Sequence, residues 1–339
     1  MRCPTLSELP PPPPGKTGWP WTEETQPIPD TMPDGAEWPK ISIVTPNYNY
    51  GQFIEETIRS VLLQGYPNLE YIVIDGGSTD ESVEIIKKYE PWFSYWVSEK
   101  DKGQSNAINK GLYRCNGELF NWINSDDQLL SNALLNIAIK YREETNIDVI
   151  IGGSKLYTLI SGETILFDCP RKPNSPLDFL KGMMKLQMTQ PATFLKSSLI
   201  KDLDGVREDL QNAFDWCFYV KALTKFRNLE IITTKSLIAN IFIHPNAKTQ
   251  QPFSVFVDEE EKILHELEPE FSRLEKIHLL WFYHKNKSHR LTNGIVEQYG
   301  NKNHLKFLKL ASLGYKYPPI ITYRYYLGAL KNSLVDFWS

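Results

Sequence analysis

Short apolar runs alternate with amphipathic segments from about residue 40 onward. Residues 41–46 are rich in β-branched side chains and stop at a proline, which predicts a strand. Between residues 52 and 64 apolar positions recur at helical spacing, and Gly65 with Pro67 supplies a stop signal. Residues 69–74 predict a second strand. Strands and helices that alternate at this spacing indicate parallel pairing with right-handed crossovers.

The same alternation predicts the elements up to about residue 151. Ser78 and Glu81 have capping-box spacing, so a helix is predicted from about Thr79 to Tyr89. The other predicted elements are strands near residues 95–97, at 118–123 and at 148–151, and helices through Arg114 and over about 132–142. This part of the chain therefore continues the α/β pattern.

Beyond residue 151 the pattern becomes mixed. Ser161-Gly162-Glu163 separates two short runs, at residues 156–160 and 164–167, which predicts an antiparallel hairpin. A helix is expected over residues 212–225, and helical periodicity prevails from about 253. The remaining predicted pieces are a short extended stretch at 190–194 within the loop-rich residues 172–204, and strands at 229–233 and 236–243.

Residues 1–38 are rich in proline, including an unbroken run from Pro10 to Pro14, and they show no hydrophobic period. Such a segment favours extended polyproline II, and we expect it to wrap the surface of the folded domain or to stay disordered. A second hypothesis is that it serves as a ligand for a proline-binding module.

Composition narrows the classes of function. The 339 residues suffice for one large domain with an appendage or for two smaller domains. A formal net charge of -4 argues against a nucleic-acid partner. The four cysteines show neither paired nor metal-ligand spacing, which is typical of free thiols in a reducing cytosol. No uncharged apolar run reaches the roughly 18 residues of a spanning helix, and the N-terminus lacks signal-peptide features, so we expect a cytoplasmic location.

A polar stretch, Asn124-Ser125-Asp126-Asp127, follows the predicted strand at residues 118–123. In open α/β sheets the ligand crevice lies outside the carboxyl ends of the strands, where these acids would point. Mg²⁺ or Mn²⁺ carrying a diphosphate would suit them, because such ions take one or two protein carboxylates and complete their shell with phosphate and water. The alternative is capping of a helix near Ser131. These residues alone leave both interpretations open.

Asp75 and Asp215 are further candidate acids. Asp75 follows a predicted strand and precedes two glycines, where either a ligand approaches the backbone or turn chemistry alone explains the pattern. The chain has no G-x-G-x-x-G or Walker-type phosphate loop. Asp215 lies among aromatic residues, and such an apolar setting would raise its pKa and make it a better proton acceptor. Alternatively, Asp215 faces water beside a helix core.

Three basic side chains are candidate contacts for phosphate or metal. His244 follows a predicted strand, where it is either a metal or diphosphate contact or a satisfied loop residue. Lys102 and Lys248 are either phosphate contacts or solvated surface lysines.

Several motifs, taken in order, resemble family 2 glycosyltransferases with the GT-A fold. The resemblance covers roughly residues 40–250, and several motifs in the right order are far more specific than any one of them. It implies an α/β fold with a mixed, mostly parallel central sheet flanked by helices. The motifs are Thr45-Pro46-Asn47-Tyr48-Asn49, Ile58-Arg59-Ser60-Val61-Leu62-Leu63-Gln64, Ile74-Asp75-Gly76-Gly77-Ser78-Thr79-Asp80, the stretch from Ser98 to Gly111, Asn124-Ser125-Asp126-Asp127, Gln190-Pro191-Ala192-Thr193-Phe194 and His244-Pro245-Asn246-Ala247-Lys248-Thr249.

The resemblance also implies roles for individual residues. Asp215 would be the general base, although Cys217 replaces a second acid that often follows it. Asp126 and His244 would hold Mn²⁺ or Mg²⁺. The residues implied to bind the donor are Thr45, Pro46, Tyr48, Asp75, Lys102, Asn106, Asn124, Ser125 and Lys248.

The implied activity is inverting transfer of a sugar from a nucleotide-diphosphate donor, most often UDP-linked in this family, to a hydroxyl of a glycan or lipid-linked acceptor. One competing hypothesis is an inactive GT-A-like protein that only binds a nucleotide sugar, which the Cys217 replacement favours. Another is a nucleotidyltransferase, but such enzymes normally carry a glycine-rich and basic loop after the first strand, and residues 45–51 do not form one.

These patterns divide the chain into a proline-rich segment at residues 1–38, a catalytic domain at 39–250 and a helical extension at 251–339. The extension interleaves aromatic and basic residues towards its end. Its helices either rest on the inner face of a membrane near a lipid-linked acceptor, or cover the catalytic domain or form a homodimer contact.

Overall fold

Nine strands form one continuous sheet in the part of the chain that the structure, a computed structural model, describes: residues 1–144, 146–175, 178–179, 187–248 and 253–271. The strands are β1 Ile41–Asn47, β2 Leu69–Asp75, β3 Tyr95–Ser98, β4 Leu119–Trp122, β5 Gln128–Leu129, β6 Val149–Thr158, β7 Glu163–Phe167, β8 Thr193–Lys196 and β9 Ile231–Ile243. Their order is β3-β2-β1-β4-β8-β6-β9-β5, with β7 paired to β6.

Six described helices accompany this sheet along the first 248 residues. They are α1 Gly51–Leu62, α2 Ser82–Lys88, α3 Gln104–Leu112, α4 Ala133–Glu143, α5 Ser197–Asp202 and α6 Phe214–Lys225. The predicted helices at 52–64, 132–142 and 212–225 are thus confirmed to within two residues at each end.

The first half of the sheet is parallel, as predicted. β1 pairs in parallel with β2 and β4, and β2 pairs in parallel with β3. Every residue of β1, β2 and β4 is buried, as expected for strands covered on both faces. The apolar face of α1 is buried as well, including Ile54, Ile58 and Val61. Since parallel strands end on the same side, the residues that follow β1, β2 and β4 meet at one edge.

The second half of the sheet is mixed. β8 runs antiparallel to β4 and β6, β6 runs parallel to β9, and β6 and β7 form the predicted hairpin. Two pairs of strands were predicted where the structure has one strand each. The predicted strands at 148–151 and 156–160 belong largely to β6, and those at 229–233 and 236–243 belong largely to β9. The interruptions that suggested separate strands are local register shifts around Gly153. The two-residue strand β5 is too short to leave a periodic signal.

The predicted capping box at the start of α2 is wrong. The helix begins at Ser82 with Glu81 as its N-cap, and no side chain caps it. The Ser78 hydroxyl instead donates to the Asp75 carboxylate at 2.5 Å. Ser78 therefore does not cap α2, because its hydroxyl is bonded to the buried Asp75 carboxylate within the loop after β2.

The proline-rich segment, residues 1–38, wraps the folded domain, and we call it the N-terminal strap. Arg59 of α1, which is fully buried, fixes the strap through its guanidinium. It donates to the carbonyl oxygens of Pro10, Pro20 and Trp21 at 2.8, 3.0 and 3.0 Å. Because three strap carbonyls depend on one cation, the segment that composition alone presents as a tail is an integral part of the fold.

The chain divides into two compact units, Met1–Gln251 and Pro252–Ser339. Of the second unit, the structure describes helix α7, Phe253–Leu267, and a 3₁₀ turn at Glu268–Glu270. Helix α7 agrees with the helical periodicity predicted from residue 253. The aromatic and basic residues predicted to contact a membrane or a second copy lie outside the described residues. Among the described helices, none has the length and apolar character needed to span a membrane.

Candidate active site

The loop after β2 is organised by the Asp75 carboxylate. Asp75 is fully buried and ends β2, where it lies opposite Asn47 of β1 and Ser98 of β3. It accepts hydrogen bonds from Asn47 Nδ2 at 2.7 Å, Ser98 Oγ at 2.6 Å and Ser78 Oγ at 2.5 Å. The backbone N–H groups of Gly77 and Ser78 add two more, at 3.1 and 2.9 Å. Five donors thus surround one carboxylate.

The two glycines after Asp75 allow this loop to close. Gly77 has a φ of +81°, which L side chains rarely adopt. A Cβ on Gly76 would lie 2.7 Å from the Asp101 carboxylate. The Asp101 carboxylate also accepts from the Gly103 N–H at 2.8 Å, at the start of α3. The Gly-Gly pair therefore brings the loop after β2 against the start of α3.

Asp126 and His244 meet although 118 residues separate them in sequence. Asp126 lies four residues beyond the end of β4, and His244 directly follows β9. Asp126 Oδ2 and His244 Nε2 are 3.2 Å apart, and His244 is 3% exposed. The rings of Phe53 and Tyr50 pack against the imidazole, with centroid distances of 4.4 and 5.7 Å. The capping alternative for this acid is thus wrong, since α4 begins at Ala133 with Asn132 as its N-cap.

The acidic pair is held in a desolvated setting. Burial raises the pKa of the Asp126 carboxyl, and the hydrogen bond with His244 opposes that shift. Burial and, secondarily, the neighbouring Asp126 raise the pKa of Asp127 well above its ordinary value. Burial and both acids also raise the pKa of Tyr50 to about 12. A cation at this place would relieve the repulsion between the two carboxylates.

Asn124 links the acidic pair to α3. Its Nδ2 donates to Asp127 Oδ2 at 3.0 Å, and its Oδ1 accepts from Gln104 Nε2 at 2.6 Å. The contact with the donor that the resemblance implies for Asn124 remains a prediction, and it would compete with these two hydrogen bonds. Ser125 is buried between Asn124 and Asp126.

Asp215 sits in the first turn of α6, where its Oδ1 accepts from the Trp216 N–H at 2.7 Å. Burial raises the pKa of this carboxyl, and the charge of Lys248 partly offsets the shift. Lys248 Nζ donates to the Gln211 carbonyl at 3.1 Å and lies 5.9 Å from the centre of the Phe214 ring. The charge of the same ammonium group also offsets part of the rise that burial causes in the pKa of Asp126. Lys248 therefore lies within electrostatic reach of Asp215, the predicted base, and of Asp126, the predicted metal ligand.

The remaining predicted donor contacts occupy varied surroundings. Thr45 is fully buried and its hydroxyl lies 3.0 Å from Tyr71 Oη, whereas Tyr48 is 58% exposed. Pro46 is buried within β1. Asn106 accepts from the Lys102 N–H at 3.3 Å and donates to Glu208 at 2.9 Å. Their roles towards a donor remain predictions.

Sequence reasoning missed Tyr50, Phe53 and Gln104, which build the surroundings of Asp126 and His244. Tyr50 is the N-cap of α1, Phe53 lies in the first turn of that helix, and Gln104 is the first residue of α3. Tyr50 directly follows a motif of the family resemblance and Gln104 lies within one, whereas Phe53 lies between two motifs. Their partners are distant in sequence, so only the packed structure reveals the contacts.

The residues present fit a divalent ion. Two ligands bound side by side at about 2.1 Å in octahedral geometry are about 3 Å apart, close to the separation of Asp126 Oδ2 and His244 Nε2. His244 Nδ1 is buried, and among the described residues it has no hydrogen-bond partner. No group of three metal-ligating side chains occurs in the described ranges. The protein would therefore supply two ligands, and diphosphate oxygens and water would complete the shell.

Comparisons with known proteins show which family this chain resembles. A family model described as glycosyl transferase family 2 matches residues 42–197. An uncharacterized glycosyltransferase of Mycobacterium tuberculosis is 28% identical over 221 residues, which are 65% of this chain and 81% of the relative. The poly(ribitol-phosphate) beta-N-acetylglucosaminyltransferase TarS of Staphylococcus aureus is 26% identical over 203 residues, which are 58% of this chain but 35% of TarS.

Two solved structures share the fold. S. aureus TarS in complex with UDP-GlcNAc has a TM-score of 0.60 at 20% identity, covering 80% of this chain and 79% of that chain. The mannosyltransferase PcManGT of Pyrobaculum calidifontis, in complex with GDP-Man and Mn²⁺, has a TM-score of 0.54 at 17% identity, covering 91% and 90%. These likenesses confirm the predicted GT-A fold class.

Proposed function

Since residues 42–197 match the model of glycosyl transferase family 2, we propose that this chain transfers a sugar, with inversion, from a nucleotide-diphosphate donor to an acceptor hydroxyl. The contact between Asp126 and His244 carries the proposal. It joins an acid beyond β4 to an imidazole after β9, at the sheet edge where a diphosphate would lie.

Asp126 and His244 would hold Mn²⁺ or Mg²⁺. When bound, such an ion supplies positive charge that stabilises the departing diphosphate, so no general acid is required. Asp127 is buried next to Asp126, and its hydrogen bond from Asn124 holds it in place. We assign Asp127 a supporting role beside the ion rather than that of a direct ligand.

Asp215 is assigned the role of general base. The Asp215 carboxylate takes the proton of the acceptor hydroxyl while the acceptor oxygen forms a bond to the anomeric carbon. The bond between that carbon and the diphosphate oxygen breaks on the opposite face, and the nucleoside diphosphate leaves with the electron pair. Burial supports the assignment, because a raised pKa makes the carboxylate a stronger proton acceptor.

A UDP-sugar is the proposed donor. The TarS structure binds UDP-GlcNAc, whereas the PcManGT structure binds GDP-Man with Mn²⁺. A thermal-shift screen with UDP-, GDP- and dTDP-sugars in the presence of Mn²⁺ should single out the donor, because stabilisation grows with ligand concentration over dissociation constant. A glycan or lipid-linked sugar is the proposed acceptor.

Asp215→Asn tests the proposed mechanism. The amide keeps the size of the side chain and can accept from the Trp216 N–H but cannot take a proton. We expect kcat to fall by about 10³-fold or more, with donor affinity measured by calorimetry unchanged within about twofold. Asp202→Asn, at an exposed acid that ends α5, is the matched control. Normal turnover by Asp215→Asn would exclude Asp215 as the base.

A further inference from the structure

Side chains from other elements fix the backbone that follows the acidic pair. Over residues 127–134 the regular structure before α4 is limited to the two residues of β5. Thr57 Oγ1 donates to the Asp127 carbonyl at 2.7 Å, and Ser60 Oγ accepts from the Leu129 N–H at 3.1 Å. Helix α1 therefore holds one side of this segment.

Gln64, just beyond the end of α1, extends that set of contacts. Its Nε2 donates to the Leu130 carbonyl at 2.9 Å, and its Oε1 accepts from the Leu134 N–H at 3.2 Å. Gln64 is 1% exposed, so these bonds are protected from water.

The N-terminal strap holds the other side. Trp19 Nε1 donates to the Leu129 carbonyl at 2.9 Å. Thr25 Oγ1 accepts from the Asn132 N–H at 3.1 Å and lies 3.0 Å from Ser131 Oγ. With its carbonyls anchored on Arg59, the strap reaches the segment that immediately follows Asp126 and Asp127.

Strand β5 lies between the two proposed metal ligands, because it follows Asp126 in the chain and pairs with β9, the strand that precedes His244. It begins two residues after Asp126, and its residues lie opposite Ala239 and Asn240 of β9. The Leu130 N–H donates to the Ile238 carbonyl at 2.8 Å, which continues the contact. His244 directly follows β9. The position of β5 therefore sets the separation between Asp126 and His244.

We propose that the N-terminal strap, through Trp19, is a positioning element that holds Asp126 and His244 at the separation required to bind the metal-loaded donor. The proposal rests on the proposed function, because it concerns the same site. It gives the proline-rich segment a role in donor binding, and it names Trp19 as a positioning residue that acts through Leu129 and β5.

Trp19→Phe removes the indole N–H and keeps an aromatic ring that packs against the core. The chain offers a closely matched control in the same strap. Trp38 Nε1 donates to the Pro29 carbonyl at 2.9 Å, also an indole-to-carbonyl bond, and the Trp38 ring packs edge-on against Tyr66. Neither of these two partners lies in residues 127–134. Trp38→Phe should therefore lose the same kind of bond without disturbing the acidic segment.

Donor affinity is measured on the full-length chain by calorimetry with the nucleotide sugar found by the donor screen, once with Mn²⁺ and once with EDTA. We expect Trp19→Phe to raise the donor Kd about fivefold in Mn²⁺, the effect of losing one hydrogen bond. In EDTA its Kd should equal that of the wild type. Trp38→Phe should bind like the wild type in both conditions, with a thermal midpoint lowered about as much as that of Trp19→Phe.

Equal Kd values for Trp19→Phe and wild type in Mn²⁺ would overturn the positioning role while leaving the proposed function intact. The positioning role would also be overturned if Trp19→Phe lost as much donor affinity in EDTA as in Mn²⁺. It would be overturned as well if Trp38→Phe lost donor affinity to the same extent. If the wild type binds no nucleotide sugar at all, the proposed function fails and this inference fails with it. The wild-type measurement thus separates the two failures.

Discussion

Asp75 and Asp126 are two carboxylates at the same edge of one sheet, yet their surroundings differ. Asp75 ends β2 and accepts five hydrogen bonds from Asn47, Ser78, Ser98 and the Gly77 backbone. For Asp126, the side-chain hydrogen bond in the described part of the chain joins it to His244. A carboxylate whose lone pairs are occupied organises a loop, whereas one with spare acceptor capacity is suited to bind a cation.

This difference shows why position at a strand end does not by itself define a ligand-binding acid. Both residues are followed by polar turns and both lie where a ligand crevice is expected. The number of donors that the fold directs at each carboxylate distinguishes them. The difference predicts that Asp75 contributes mainly to stability and Asp126 mainly to binding.

Asp75→Ala should have the largest effect. The substitution removes the acceptor of five donors, of which the Asn47 amide is buried and the other four are partly buried. A buried donor left unsatisfied costs about 1–3 kcal/mol. We expect the free energy of unfolding, measured by urea titration, to fall by about 3–5 kcal/mol. The same substitution at Asp126 is the matched control. If Asp75→Ala kept wild-type stability but lost nucleotide binding, the carboxylate would act on the nucleoside instead of on the loop.

Asp126→Ala should have the next largest effect, on binding. It removes one of two proposed metal ligands, so the donor Kd in Mn²⁺ should rise about 100-fold. In EDTA the variant and the wild type should bind the donor equally weakly. Stability should change by less than about 1 kcal/mol, because burial already disfavours this charge. A variant with wild-type affinity in Mn²⁺ would mean that Asp126 is not a ligand.

The smallest of these effects is the change in stability caused by Asp215→Asn. This variant should be more stable than the wild type, whereas Asp75→Ala should be less stable. Burial raises the pKa of Asp215 in the folded state, so the fold loses stability as pH rises from the ordinary value near 3.8 through the folded value. Asparagine is neutral throughout. The variant should therefore melt about 2–4 °C above the wild type at pH 8, a shift equivalent to roughly 1 kcal/mol, with a smaller difference at pH 5. An equal difference at both pH values would argue against an ionised Asp215 whose pKa is raised by the fold.

The sequence predicted the parallel half of the fold well, because helical and strand periods depend on local burial. Predictions from the sequence were wrong where a contact between distant residues outweighs a local sequence pattern. Ser78 has the spacing of a capping residue, yet the buried Asp75 carboxylate takes its hydroxyl. Strand β5 is defined by its pairing with β9, and Trp19 and Ser60 bond to its backbone. Its two residues are too few to show a hydrophobic period.

The candidate site was partly predictable for the same reason. The acids were visible as polar residues after apolar runs, and the order of the motifs indicated the family. The contacts that distinguish their chemistry join residues far apart in the chain: His244 to Asp126, Gln104 to Asn124, and Lys248 to Gln211. No local pattern encodes such pairs.

By itself the sequence determined the alternation of strands and helices, the family and the candidate acids, because periodicity, turn chemistry and motif order are properties of neighbouring residues. Only the tertiary structure decided that Asp75 is saturated, that Asp126 meets His244, and that the proline-rich segment is part of the fold. Those outcomes depend on which distant donors and carbonyls the packed chain brings within hydrogen-bond distance, and the free energy of burying them is set by the whole fold.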